Sequence, residues 1–325
     1  VNQPLLTLDK VSKHFPITGG VMRRRIGEVQ AVTDVSLQLA AGETLGIVGE
    51  SGCGKSTLGR TICRLYEPSS GSITFDGMLF SSLNKEQTTS IHRNLQMIFQ
   101  DPYASLNPRM PVLEILGEPF ALHNIGTAKD RKDQVAELLK LVGMRPESMF
   151  RFPHEFSGGQ RQRIGIARAI ALKPKLVVCD EAVSALDVSI QSQVLNLLVE
   201  LQKQLNLTYV FISHDLAVIR YIADRIAVMY LGNVVEIADR DSLYRNPMHP
   251  YSRALLSSLP VPDPRRRHGR ETLEGDVPSP ANPPSGCRFH TRCKFAKDIC
   301  KSKTPALAPM SGTNQMVACH FAGTI

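Results

Sequence analysis

The stretch Gly49-Glu50-Ser51-Gly52-Cys53-Gly54-Lys55-Ser56-Thr57 carries the most specific chemistry in the chain. It fits the phosphate-binding loop pattern G-x-x-x-x-G-K-[ST]. Glycines let a backbone come close to a polyphosphate and turn successive N–H groups into the loop. The Lys55 ammonium can reach β- and γ-phosphates, and the Ser56 hydroxyl can hold Mg²⁺. A helix starting near Lys55 would add the positive end of its dipole. Cys53 occupies an unrestricted position of the pattern and has no chemical role in this reading.

A glycine-rich turn can arise by chance, so the flanks decide. The apolar strand Thr44-Leu45-Gly46-Ile47-Val48 precedes the loop, and a helical pattern from Leu58 to Leu65 follows it. That strand–loop–helix setting is the one the motif requires. A second chemical group stands at Asp180-Glu181, after the apolar run Leu176-Val177-Val178-Cys179. Asp180 is placed to hold Mg²⁺, and Glu181 can polarise a water for in-line attack on a γ-phosphate. Adjacent acids also form turns and helix caps. An apolar run without alternation, however, marks a strand buried on both faces, as in a parallel sheet covered by helices. Tyr209-Val210-Phe211-Ile212 is another such run and ends in Ser213-His214-Asp215.

The elements around these groups alternate strand and helix, which indicates an α/β core. Leu5 to Val11 reads as a first strand, Ile17 to Gly27 as a loop, and Val29 to Leu39 as strand. Ser72 to Phe75 returns to strand with a hairpin turn at Asp76-Gly77. Leu95 to Gln100 is a further strand, broken by Asp101-Pro102. From Val112 to about Met149 the period is helical, with Val135, Leu138, Leu139 and Val142 on one face. Helical stretches follow at Arg161 to Leu172, Val188 to Leu205 and Leu216 to Ala223, then a strand pair at Arg225 to Tyr230 and Asn233 to Ile237.

The chain has 325 residues, enough for one large or two smaller domains, and 42 % hydrophobic residues, enough for a full core. No run approaches about 18 apolar residues, the length of a membrane span. Val1 to Asp9 lacks the charged-then-apolar profile of a signal peptide, so a cytosolic setting is expected. The net charge is +8, with runs at Arg23-Arg24-Arg25 and Arg265-Arg266-Arg267. Such runs bind nucleic acid or anionic lipid, but more commonly they are solvated loops.

Ser157-Gly158-Gly159-Gln160 closely resembles the signature of ABC-type ATPases. The rest of that family's pattern is present in order. Phe15 matches the aromatic that stacks on adenine, and Gln100 the Q-loop glutamine. Ser184-Ala185-Leu186-Asp187 matches the D-loop, and His214 the switch histidine. The resemblance covers roughly residues 4 to 260. It implies an α/β P-loop ABC-type nucleotide-binding domain over 1–260, with an antiparallel β subdomain and a helical subdomain at about 101–160. It implies ATP sandwiched between two head-to-tail subunits, with Ser157 and the Gly158 and Gly159 N–H groups meeting the partner's γ-phosphate. His214 would position the attacking water with Glu181, and Gln100 would contact Mg²⁺. The family usually has Pro after the catalytic Glu; this chain has Ala182, which frees φ there and removes no reacting group.

A narrower resemblance rests on Asp101-Pro102-Tyr103-Ala104-Ser105-Leu106-Asn107-Pro108-Arg109, on Asn246-Pro247-Met248-His249-Pro250-Tyr251 and on a Cys-rich tail. Together they look like the peptide/nickel importer branch, in particular the second ATPase subunits of dipeptide and oligopeptide permeases. Membership implies a heterodimer with a second related ATPase chain, two transmembrane permease subunits, and an extracytoplasmic substrate-binding protein. It implies a peripheral place on the cytoplasmic face of the bacterial inner membrane, and no nucleic acid partner. Import of nickel or another small solute, a soluble ABC ATPase acting on nucleic acid or the ribosome, and a subunit that binds ATP without turnover are the alternatives. The retention of both Glu181 and His214 speaks against the last.

From Asn246 onward Pro becomes dense, and residues 261–325 read as a small appended extension. Four of the seven cysteines fall there as Cys287-x5-Cys293-x6-Cys300-x18-Cys319. A disulfide pair does not suit the cytosol. Zinc sites favour C-x₂₋₄-C pairs, which this spacing lacks. Four thiolates suit a [4Fe–4S] cluster, and the permease branch carries one in this tail. The cluster is the leading expectation, with Zn²⁺ and then free thiols as the alternatives.

Overall fold

A computed structural model of the chain describes residues 3–20, 24–258, 273 and 275–324. Arg23 and the run Arg265-Arg266-Arg267 lie outside them. The chain builds two compact units. A phosphate-loop unit takes Pro4–Leu39, Thr44–Ser81 and Ser213–Ile325, and a helix-rich unit takes Val1–Gln3, Ala40–Glu43 and Ser82–Ile212.

The phosphate-loop unit opens with β1 (Leu6–Gly19) and β2 (Arg24–Leu39), antiparallel from Leu6 opposite Leu39 to Gly19 opposite Arg24. Alternation buries Val35, Leu37 and Leu39 along β2, and Val32 is buried as well, beyond a shift of register opposite Val11 and Lys13. Within the loop expected over residues 17–27, residues 17–19 and 24–27 are instead the far end of this ribbon, with Ile17 opposite Gly27 and Thr18 opposite Arg25. Backbone ladders hold it, while Ile26 stands 70 % exposed, so no buried apolar stripe announces it in the sequence. β3 (Thr44–Val48) is buried throughout and leads through the loop to α1 (Lys55–Ile62). β4 (Ser70–Phe75) pairs with β1 and turns at Asp76 (φ 50°) and Gly77 (φ 76°) into β5 (Met78–Leu79). Two positive φ values in a two-residue turn are what an Asp-Gly hairpin provides.

The helix-rich unit begins with α2 (Lys85–Asn94), which apolar periodicity does not reveal. Its signal is a capping box: Gln87 N–H donates to Asn84 Oδ1 (2.8 Å) and Asn84 N–H to Gln87 Oε1 (3.0 Å). β6 (Leu95–Ile98) is followed by α3 (Pro102–Ser105), α4 (Val112–Leu122), α5 (Ala128–Leu141) and α6 (Gly158–Ile170). The buried stripe of α5 is Val135, Leu138 and Leu139, as the period predicts. β7 (Leu176–Asp180), α7 (Val188–Leu205) and β8 (Thr208–Ile212) complete the unit. β6, β7 and β8 are parallel neighbours, and every residue of β7 and β8 is buried. The unalternating apolar runs are therefore the two-sided strands they read as.

The chain then returns to the phosphate-loop unit with α8 (Leu216–Ile222), β9 (Arg225–Tyr230) and β10 (Asn233–Asp239). β9 runs parallel to β3, with Leu45 opposite Arg225, and antiparallel to β10. After α9 (Arg240–Arg245), α10 (Pro250–Ser257) and α11 (Asp298–Ser302), the short strands β11 (Ala308–Pro309) and β12 (Met316–Val317) extend the same sheet. Glu236 on β10 faces Val317 on β12. No helix among the described residues is long and apolar enough to cross a membrane.

Glu236 is fully buried and accepts N–H bonds from Met248 (2.8 Å) and His249 (3.0 Å), tying the approach to α10 onto the sheet. Burial pushes its carboxyl pKa up, while Ser252, the two N–H donors and Arg253 pull it back. Glu236→Ala would leave both donors buried without an acceptor. We expect it to lower unfolding free energy by about 2–4 kcal/mol in urea denaturation, with Glu236→Gln costing less because one acceptor oxygen remains.

Candidate active site

The phosphate loop passes from β3 into α1 with Gly54 as the helix N-cap at φ 104°. A Cβ there would lie 1.9 Å from the Ala31 carbonyl oxygen, so both the conformation and the space demand glycine. Lys55 is buried and folds its ammonium over the loop, donating to Gly49 O (2.8 Å) and Glu50 O (3.0 Å). Ser51 and Gly52 are exposed, and Ser56 and Thr57 are half-buried in the first turn of α1. Cys53 is buried, and burial pushes its thiol pKa up against the pull of Lys55, so it stays protonated. Phe15 lies on β1, edge-on to Tyr66 at 5.3 Å, with the Lys13 ammonium 5.1 Å from its ring centre. His214 is exposed, one residue beyond Ser213, whose N–H donates to Ile47 O on β3 (3.2 Å).

The helix-rich unit holds Gln100, Asp180, Glu181, Asp187 and the Ser157–Gln160 stretch. Asp180 ends β7 with no exposure. Glu181 takes a left-handed backbone (φ 48°), fixed by its N–H bond to Ile212 O (3.0 Å) and by Ser184, whose N–H (3.1 Å) and Oγ (3.0 Å) both donate to Glu181 O. A non-glycine residue in that region is held by its surroundings, which often marks a functional position. Gln100, 81 positions earlier, donates from Nε2 to Glu181 Oε2 (3.0 Å), so the structure brings these two together. Asp187 is the N-cap residue of α7, and Ala182 is buried.

Ser157-Gly158-Gly159-Gln160 forms a capping box at the start of α6. Gln160 N–H donates to Ser157 Oγ (3.3 Å) and Ser157 N–H to Gln160 Oε1 (3.1 Å). The first-turn amides of Gly158 and Gly159 have no intrahelical acceptor, which is the arrangement that receives an anion. A Cβ at Gly159 would come within 2.4 Å of Ile190 Cγ2 on α7, so this glycine also sets how closely the two helices approach. Arg161, near the start of α6, places its guanidinium 3.6 Å from the ring centre of Tyr103 and donates through Nε to Phe156 O (2.9 Å). Nothing in the sequence spacing signals that stacking.

The C-terminal segment meets the phosphate loop itself, which the sequence reading missed. Phe289, 2 % exposed, packs against Tyr230 (5.2 Å) and Tyr251 (5.5 Å), and the Tyr251 hydroxyl accepts the Glu50 N–H (2.9 Å). Arg292 grips the Glu50 carboxylate with both guanidinium nitrogens, at 2.7 and 3.2 Å. All seven cysteines are free of disulfides. Cys287, Cys293, Cys300 and Cys319 border one cavity. Burial, chiefly, pushes Cys287 up to about 11 and raises Cys293 and Cys319, and the neighbouring thiols add to this. Among the described residues, no three His, Cys, Asp or Glu side chains stand grouped as metal ligands.

Loop, apolar strand ends and signature define an ATP-binding cassette. The ABC transporter family model matches residues 32–184. The chain belongs to this family. A second model, the oligopeptide/dipeptide transporter C-terminal region, matches residues 235–300. The chain is 56 % identical to the oligopeptide transport ATP-binding protein AppF of Bacillus subtilis (strain 168), over 98 % of each. It is 50 % identical to the "Probable peptide ABC transporter ATP-binding protein y4tS" of Sinorhizobium fredii, over 98 % of this chain and 90 % of that one. Among solved structures, the dimeric post-hydrolysis state of the ATP-binding cassette MJ0796 bound to ADP and Pi aligns with a TM-score of 0.64 and 28 % identity, over 72 % of this chain and 98 % of that one.

The Gly159 contact makes a stability prediction. Gly159→Ala forces its Cβ against Ile190 and should cost about 1–3 kcal/mol. Ile190→Ala removes the obstructing methyl. The double variant should therefore unfold at lower cost than the two single losses summed, read by thermal unfolding.

Proposed function

We propose that the chain is the ATP-hydrolysing subunit of an ABC importer for oligopeptides or dipeptides. The observation that carries this is its 56 % identity to an oligopeptide transport ATP-binding protein across 98 % of both chains. Bound ATP supplies the phosphoanhydride that is cleaved, and Mg²⁺ offsets the charge of its phosphates. Gly49 to Thr57 cradle the phosphates with backbone N–H groups, and Lys55 swings from the loop carbonyls onto them. Ser56, Gln100 and Asp180 would hold Mg²⁺, Phe15 would stack on the base, and Glu181 would take the proton from the attacking water that His214 helps to place. The free amides of Gly158 and Gly159, with Ser157 and Gln160, act on the ATP of a facing subunit, and Asp187 lies along that contact. The hydrogen bond from Gln100 to Glu181 supports a link between metal occupancy and the helical segment that begins at Asp101.

In this reading the facing subunit is a second, related ATPase, and the pair sits peripherally on the cytoplasmic face of the bacterial inner membrane. It works beneath two transmembrane permease subunits fed by an extracytoplasmic binding protein. Glu181→Gln should retain ATP binding in the assembled complex but lower phosphate release at least about a hundredfold. Unchanged hydrolysis would remove Glu181 from its role, and crosslinks of residues 101–149 to nucleic acid or ribosome alone would overturn the importer.

We propose also that Cys287, Cys293, Cys300 and Cys319 hold a [4Fe–4S] cluster, with Zn²⁺ as the alternative. Four soft donors around one cavity suit either, and a bound cation would deprotonate thiols that burial keeps protonated. The four must draw in to ligate. Its contribution is to hold the C-terminal segment together. Anaerobically purified protein should be brown with about four irons per chain. Cys293→Ser should lose the iron while ATP binding survives. Colourless protein with zinc would assign the site to zinc, and protein with neither metal would end this reading.

A further inference from the structure

Arg292 and Glu50 lie 242 positions apart, one in the C-terminal segment and one inside the phosphate loop. Their contact is not an ordinary surface pair. The Arg292 side chain is 6 % exposed and that of Glu50 26 %, so solvent screens the pair poorly. It is bidentate, the geometry in which an arginine fixes a carboxylate in orientation as well as charge. The same Glu50 is held a second time, by its N–H bond to Tyr251 Oη. Tyr251 in turn packs on Tyr230 (4.8 Å) and on Phe289, three residues before Arg292.

Behind the loop a second arginine does related work. Arg288 donates to Leu231 O, Gln30 Oε1 and Thr33 Oγ1. The residue after Leu231, Gly232, donates its N–H to Cys53 O in the loop (2.8 Å) and accepts from Thr33 N–H (2.8 Å). Residues 288–292 therefore reach the loop at Glu50 directly and at Cys53 through one peptide. Glu50 also brings a negative charge into a loop that must receive a polyanion, and no other cation is shown paired with it among the described residues.

We infer that Arg292 is a positioning residue for ATP: it neutralises Glu50 and fixes the phosphate loop in the conformation that binds the polyphosphate. The Mg-ATP site thus depends on a side chain outside every motif of the cassette. This does not depend on what the neighbouring cysteines bind, and metal content measured on the same preparations keeps the two questions apart.

The test is a double-variant cycle on the full chain, read by titration with a fluorescent ATP analogue and by KM for ATP in the assembled complex. Arg292→Ala should raise the Kd and KM about tenfold, the size expected for a charge-assisted pair, with kcat changed much less. Arg292→Lys should recover part of the loss, since it restores the charge without the fork. In a Glu50→Gln background, where there is no charge to neutralise, Arg292→Ala should have about a twofold effect or less. Should Arg292→Ala not fold, Arg292→Gln keeps most of the stem and should show the same rise. A purely structural role would lower the unfolding temperature and leave the Kd of the folded protein unchanged, and that result overturns the inference. So does a loss of equal size with and without the Glu50→Gln substitution.

Discussion

A loop that turns its amides toward a polyphosphate cannot also satisfy them within a helix or sheet, so it must be held from its other side. In this chain that requirement organises the whole phosphate-loop unit. Gly54 presses against the Ala31 carbonyl where no side chain fits, and Cys53 O is engaged by Gly232. The Glu50 N–H is turned away from the ligand side and given to Tyr251. β2, the β9–β10 turn, α10 and the C-terminal segment each contribute one contact to the rear of the loop. The sheet supplies rigidity, because β3 is buried at every position and cannot shift without disturbing β9.

What could be read from the sequence follows from how locally each feature is encoded. The phosphate loop, the two acids at the end of β7 and the bounds of α7 are written in contiguous residues with one dominant period, and they appear where the pattern places them. The ribbon end at residues 17–19 and 24–27 was illegible because its stability lies in ladder hydrogen bonds, which any residue can make. α2 was missed because it has one buried residue, Ile91, although Asn84 and Gln87 carried a capping signal. The grip of Arg292 on Glu50 was beyond reach: neither residue type is unusual where it stands, and only the fold brings them together. In the same way no spacing rule relates Gln100 to Glu181.

The Ser157–Gln160 stretch shows how one short sequence meets two demands. As a capping box it starts α6, and as a pair of glycines it permits the approach of α7. Its composition is therefore constrained by folding before any ligand is considered. Loss of activity on changing Gly159 mixes a packing effect with a chemical one, whereas a Cβ added at Gly158 would lie 3.8 Å from Leu186 Cδ2, an ordinary contact, so a methyl group has room there.

The division of the chain between its two units also sets an order of events at the ribosome. The helix-rich unit is drawn almost entirely from one continuous segment, Ser82–Ile212, so its contacts become available as soon as that segment emerges. The unit bearing the phosphate loop is made partly before that segment and partly after it. β3 waits for β9, and β10 waits for β12 near the other end of the chain. At about 5–20 residues per second, Glu50 spends at least some ten seconds outside the ribosome before Arg292 exists. A nascent chain thus carries the complete nucleotide motif long before it carries the means to hold that motif in shape.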